Sequence, residues 1–118
     1  MLFSQKRPLD AFIDSYLSQW HQTSPGEGCP LPTMSSELGL RGQHSPVTDA
    51  VLEARLTQID SALEHPKGEH ESLVLMSTLV GALVLARSVE NPELAAHIME
   101  VVRGCLKEQV SDKQKAGQ

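Results

Sequence analysis

The longest run of uncharged residues, SLVLMSTLVGALVLA at 72–86, constrains the fold more than any other feature of the sequence. Its apolar residues fall on almost every side of a helix, which predicts a helix that is buried on most sides. At 15 residues the run is shorter than the ~20 residues that a membrane-spanning helix needs. We therefore expect a helical protein built around this segment.

Prolines and capping residues indicate where the other long helices begin. Pro8, Pro46 and Pro92 each suit the first position of a helix, and Ser45 and Asn91 are good amino-terminal caps. The segments TSPGEG, LRGQHS and HPKG are typical of connecting turns. With no strand alternation and no repeat, the sequence predicts an all-α fold of four long helices and one short helix.

The first half of the chain contains the first long helix and the short one. We expect the first helix to run unbroken through RPLDAFIDSYLSQWHQ, residues 7–22. The short helix lies in CPLPTMSSELG, residues 29–39. Prolines are tolerated at its start, and Gly39 is a suitable stop.

Size and charge narrow the class of protein. With 118 residues, 40% of them hydrophobic, and a formal net charge of -5, the chain is typical of one mildly acidic globular domain. Its basic residues are scattered, which argues against a nucleic-acid surface. Two cysteines without a signal peptide favour the reducing cytoplasm. We expect a domain at 8–110, a remnant of a linker helix or disorder at 1–7, and a disordered tail at 111–118.

The last two long helices carry more apolar surface than a domain of five helices easily covers. The inner face predicted for the final helix contains Leu94, Ile98, Val101, Val102, Cys105 and Leu106. A two-fold homodimer would cover the surplus if two helices from each chain formed a four-helix bundle, and Gly81 and Ala82 would permit close approach. The alternative is a monomer in which the 72–86 helix is central.

Three of the four aromatic residues, Phe12, Tyr16 and Trp20, recur at every fourth position of the first helix. This spacing is typical of core packing. It also suits the wall of a pocket for a small hydrophobic or aromatic ligand, to which the Tyr hydroxyl and the Trp N–H would offer polar contacts. The sequence leaves both interpretations open.

Cys29 directly precedes the short helix, whose amino end would stabilise a thiolate. A sensor of oxidants or electrophiles is therefore one interpretation, and an inert buried thiol is the other. Cys29 and His21 together supply only two metal ligands, which are too few for a zinc site.

Other signals of chemistry are weak. The cluster His65, Glu69, His70 and Glu71 matches no zinc signature, and we expect no metal and no cofactor. The sequence shows no nucleophile beside a base, no carboxylate pair and no phosphate-binding glycine loop, so we do not expect an enzyme.

Four short segments occur in an order and spacing that resembles the C-terminal domain of TetR/AcrR-type transcriptional regulators. They are YLSQWH at 16–21, GCPL at 28–31, SEL at 36–38 and VGALVLARSV at 80–89. The resemblance covers roughly residues 8–106. It implies a helical domain that binds a small-molecule effector and forms a homodimer through its last two long helices. Effector binding would shift the separation of two DNA-binding heads and release the operator.

The resemblance also implies positions for the two sites. The effector cavity would lie between the first, third and fourth predicted helices, lined by Phe12, Tyr16, Trp20, Cys29, Met34, Leu56 and Met76. The homodimer contacts would be Leu79, Leu83, Arg87, Ile98, Val101, Val102 and Cys105.

The segment MLFSQKR is too short to be the helix-turn-helix of such a regulator. We therefore expect this chain not to bind an operator by itself and not to contact a membrane. It would be either a fragment of a repressor or a naturally headless relative, which could pair with a full-length regulator. The sequence does not identify the effector.

Overall fold

A computed structural model describes the backbone of residues 7–63 and 69–116, and the side chains of residues 7–63 and 70–110. Within these ranges the protein is helical and has no strand, which confirms the predicted all-α class. The helices are α1 Pro8–Tyr16, α2 Gln19–Thr23, α3 Leu31–Leu40, α4 Pro46–Ala62, α5 Glu69–Ser88 and α6 Pro92–Ala116.

Helix α5 is the centre of the fold, because it contacts each of the other five helices. It contributes the buried residues Ser72, Leu75, Met76, Leu79, Ala82, Leu83 and Ala86. The uncharged run therefore lies in the core, as its composition predicts. The segment His70–Ser88 is also long and apolar enough to cross a membrane, judged by length and composition alone. The core helix of a soluble protein meets the same criterion.

The first predicted helix is broken in two. Helix α1 ends at Tyr16, the chain turns at Leu17, and α2 begins at Gln19. Ser18 has extended backbone (φ -93°, ψ 155°), and its hydroxyl accepts a hydrogen bond from the His21 amide at 3.1 Å. The prediction of one helix over 7–22 is wrong because this serine caps a new helix, which the regular apolar spacing does not reveal.

Side chains satisfy the carbonyl groups at the break and at the carboxyl end of α2. Carbonyls at a helix end have no partner within the helix. At the break, the imidazole of His21 lies 2.8 Å from the Tyr16 carbonyl oxygen, and Arg103 of α6 donates to the Leu17 oxygen at 2.7 Å. At the carboxyl end of α2, Arg87 of α5 donates to the His21 oxygen at 2.6 Å. The two longest helices therefore hold α2 from both sides.

The predicted starts of α4 and α6 are confirmed. The Ser45 hydroxyl accepts from the amide two residues later at 3.1 Å, and Asn91 Oδ1 does the same at 2.9 Å. The predicted stop of α3 at Gly39 is wrong, because the helix continues through Gly39 and ends at Leu40. The chain turns at Gly42, whose φ of +65° is the left-handed conformation that glycine adopts easily.

The end of α6 also differs from its prediction. Its backbone is helical to Ala116, although a disordered tail was expected from residue 111. The segment 107–116 contains neither glycine nor proline and is rich in Lys, Gln and Glu, which favour helix. The segment 1–6 of the expected linker remnant lies outside the described residues. Arg7 is extended and pairs with Asp10 at 2.9 Å.

The buried side of α6 differs from the predicted inner face. The structure buries Ala95, Met99, Leu106 and Val110, whereas Leu94 and Val101 of the predicted inner face are exposed. The helix packs against α5, which presents the small side chains of Ala82 and Ala86 among its buried residues. Part of the predicted inner face therefore lies at the surface of the chain.

We expect Arg103→Met to lower the free energy of unfolding by about 1–3 kcal/mol, because it leaves the Leu17 carbonyl without its charged donor. Denaturant unfolding followed by circular dichroism measures this. Arg41→Met is the matched control. Arg41 is exposed and pairs with Glu37 one turn earlier in the same helix, so its loss should cost less than about 0.5 kcal/mol. Equal losses would contradict the capping role of Arg103.

Candidate ligand-binding site

A cavity of about 250 Å³ lies beside α1 and α2, with α4 on one side and the loop before α3 on another. Its lining residues are Phe12, Ser15, Tyr16, Trp20, His21, Gly28, Cys29, Arg55 and Gln58. A second cavity of about 400 Å³, which is larger and somewhat more enclosed, also has Phe12 and Gln58 in its lining. These two side chains therefore divide the groove between α1 and α4 into two spaces.

The structure brings together four of the seven residues predicted to line a pocket: Phe12, Tyr16, Trp20 and Cys29. The other three do not line this cavity. Met76 is fully buried in the core, and Leu56 packs against the core as a half-buried residue. Met34 is half-buried on α3. The fourth predicted helix, α5, supplies no lining residue because its inner face is used for core packing.

The aromatic residues do not continue as one ladder. The rings of Phe12 and Tyr16 lie 5.9 Å apart at 43°, and both belong to α1. After the break, Trp20 is 56% exposed and stacks on the His21 imidazole with ring centroids 6.2 Å apart. The break therefore moves the indole from the predicted helix face to the rim of the cavity.

His21 fixes the shape of one wall. The side chain is 3% exposed, with Nδ1 2.8 Å from the Tyr16 carbonyl oxygen and Nε2 3.1 Å from the Cys29 amide nitrogen. A carbonyl can only accept and an amide N–H can only donate. A neutral imidazole with its hydrogen on Nδ1 satisfies both. His21 thus ties the loop before α3 to the end of α1.

Gly28 allows this loop to lie against the imidazole. Its φ is +76°, and a Cβ atom added there would lie 2.7 Å from His21 Cδ2 and 2.8 Å from Nε2. Any other residue would be strained in its backbone and would also overlap the buried ring. The glycine is therefore required for the loop to complete the cavity.

The Tyr16 hydroxyl is enclosed within the protein. It is buried beside the Cys29 thiol, and it forms no hydrogen bond of ordinary geometry with the residues that the structure describes. Burial raises the pKa of Tyr16 above its usual value of 10.0, and the neighbouring Cys29 thiol raises it further. The hydroxyl therefore keeps its proton.

Arg55 gives the cavity its charge. Its guanidinium donates to the Gln58 side-chain oxygen at 2.9 Å, one turn later on α4. None of the ion pairs within 7–63 and 70–110 includes Arg55, and no Asp or Glu lines the cavity. Sequence reasoning missed Arg55 and Gln58, because an exposed-looking Arg-x-x-Gln on a helix carries no signal of a site.

The predicted dimer contacts are divided between the core and the surface. Leu79 and Leu83 are 0% exposed, so they have no surface to offer a second chain, and the structure places them in the core instead. Arg87 is also used within the chain, where it donates to the His21 and Gln22 carbonyls. Burial lowers its pKa from the ordinary value. These three side chains serve the fold of one chain.

The remaining predicted contacts lie on α6. Ile98 and Val102 are half-buried against the core, while Val101 and Cys105 are exposed. On α5 and α6, the exposed apolar residues that the sequence prediction did not assign to the interface are Leu73, Val74, Leu85 and Leu94. The exposed apolar residues of these two helices therefore include the predicted Val101 and four others.

No family model, curated protein or solved structure matches this chain. Within the described residues, no three potential metal-ligating side chains lie together. Of the predicted His/Glu cluster, His65 and the Glu69 side chain lie outside those residues. The function must therefore be inferred from the cavity and the surface themselves.

We expect Gly28→Ala to cost at least about 1 kcal/mol more stability than Gly42→Ala. Both glycines have positive φ, so both substitutions incur backbone strain of about 1–2 kcal/mol. Only at position 28 does the new methyl group meet a buried ring, since nothing lies within 4 Å of a Cβ at Gly42. Thermal unfolding of the two variants measures the difference, and equal losses would contradict the His21 contact.

Tyr16 is the single tyrosine, so phenolate absorbance follows its ionisation directly. The folded-state pKa is raised above 10.0, and as pH rises the unfolded chain therefore releases this proton first. The contribution of Tyr16 to stability should be constant below pH 10 and fall above it by about 1.4 kcal/mol per pH unit. Tyr16→Phe should remove that component. A phenolate midpoint at 10 in the folded protein would contradict the burial.

Proposed function

We propose that this chain is the effector-sensing and dimerisation domain of a TetR-like transcriptional repressor. The observation that carries the proposal is a partly polar cavity whose wall is attached by hydrogen bonds to two helices with exposed apolar residues. This pairing of features is what a sensor needs: a place for a ligand and a surface through which its presence is transmitted.

The route from the cavity to the two helices is short. Trp20 and His21 line the cavity and belong to α2. The His21 carbonyl is held by Arg87 of α5, and the neighbouring Leu17 carbonyl is held by Arg103 of α6. A ligand that moves α2 must therefore either move these arginines or break their hydrogen bonds. A ligand that favours one arrangement shifts the population toward it by its difference in affinity.

The outer surfaces of α5 and α6 suit a second copy of the chain. Leu85 on α5 is 55% exposed, and Val101 on α6 is 46% exposed. Gly81 and Gly104 have open space where a Cβ would be, although a glycine inside a helix costs roughly 1 kcal/mol relative to alanine. Nothing within one chain requires these glycines. Close approach of helices from a second chain would explain both, and would cover the apolar side chains.

A sensor acting through the Cys29 thiol is less well supported. The cysteine is half-buried on the cavity wall, and the nearest base is His21. Its Nε2 atom already accepts the Cys29 amide hydrogen, so this nitrogen is not free to remove the thiol proton. The geometry therefore gives Cys29 a place in the lining and no activating partner there.

The dimer is tested by light scattering on the purified chain with Leu85→Glu and Val101→Glu. We expect the parent chain to be dimeric at micromolar concentration, and each variant to raise the dissociation constant at least about 100-fold, because it buries an unpaired carboxylate. Val47→Glu is the matched control, since Val47 is 58% exposed on α4. It should leave the dimer intact. A monomeric parent chain would refute this part of the proposal.

A further inference from the structure

We infer that the ligand of the cavity is a small aromatic carboxylate, bound with its anionic group at Arg55 and its ring beside Phe12 and Trp20. The inference rests on the proposed function, in which this cavity holds the effector, and it adds the chemical class of that effector.

The positive charge of the cavity lining favours an anionic ligand. The chain has a net charge of -5, yet its cavity is lined by a guanidinium and by no carboxylate. The only hydrogen bond that the structure gives Arg55 within the described residues is to the neutral Gln58 side chain. A guanidinium has five N–H donors, so several remain for a ligand, and its planar shape matches the two oxygens of a carboxylate.

The number of charges limits the anion. Tyr16 belongs to the lining, but its hydroxyl oxygen is buried beside the Cys29 thiol and is not at the cavity surface. One guanidinium therefore matches a single negative charge. A phosphate dianion would call for more positive charge than this lining holds.

The rings and the volume define the rest of the ligand. Phe12 and Trp20 are both in the lining, and the half-exposed indole at the rim offers a face on which a planar ring can stack. The cavity of about 250 Å³ is below the ~300–1,000 Å³ typical of pockets for drug-sized ligands. A compound of one or two rings therefore fits better than a larger one.

The test uses a matched pair of probes, trans-cinnamate and the neutral trans-cinnamamide, with phenylphosphonate as the dianion. Trp20 is the single tryptophan, so its indole N–H gives one nuclear magnetic resonance signal that reports from the rim of the cavity. We expect cinnamate to shift this signal in a saturable way and to bind about ten-fold or more tightly than cinnamamide. Phenylphosphonate should bind more weakly than cinnamate.

One substitution assigns the anionic contact. Arg55→Gln should weaken cinnamate about ten-fold or more and leave the affinity for cinnamamide within about two-fold. Arg41→Gln is the control, because Arg41 lies outside the lining and pairs with Glu37. Circular dichroism on each variant establishes that it is folded before its affinity is compared.

The outcomes separate this inference from the proposed function. Equal binding of cinnamate and cinnamamide would overturn the carboxylate while keeping a ligand cavity. Tighter binding of phenylphosphonate would replace the carboxylate by a dianion. If the Trp20 indole signal shifts with none of the three probes, the inference is wrong. The proposed dimer would then be judged by light scattering alone. Unchanged cinnamate affinity in Arg55→Gln would overturn the assignment of Arg55.

Discussion

The burial of α5 is the constraint on which the rest of the structure depends. A 20-residue helix with an uncharged stretch of this length must be covered, and it is covered by contacts with all five other helices. Helices α5 and α6 pack against each other, yet Leu85 of α5 and Val101 of α6 remain exposed. The two helices that form much of the core of one chain therefore also present the surface that a second chain would cover in the proposed dimer.

The break between α1 and α2 links this core to the cavity. The carbonyl groups at the break and at the carboxyl end of α2 require donors, which Arg103 of α6 and Arg87 of α5 provide. His21 provides a third donor and at the same time accepts from the loop at Cys29. Backbone groups that a continuous helix would have satisfied by itself are here satisfied by long-range contacts. The cavity wall and the central helices consequently form one hydrogen-bonded unit.

Local signals made part of the fold predictable. The sequence shows the caps at Ser45 and Asn91, because a cap depends on residues close along the chain. It also shows the central position of α5, because that position follows from the apolar composition of the helix. The break at Ser18 and the buried side of α6 depend on partners far along the chain. Phe12 and Tyr16 meet at the cavity because α1 places them one turn apart, as the sequence pattern indicates. Trp20 and Cys29 join them through the break and the His21 hydrogen bond, which the pattern does not show. Arg55 could not be found this way, since only the tertiary structure places its helix opposite α1.

Helix α2 has only five residues, and this has a consequence for the order of folding. Isolated helices shorter than ~12–15 residues are marginal in water, so α2 depends on what holds it. Its long-range donors are 66 and 86 residues away from the carbonyls that they bind, at His21 and Leu17. We therefore expect α2 to be stable only once α5 and α6 have packed beside it. On this expectation, the cavity wall forms after the helices that would carry a signal away from it.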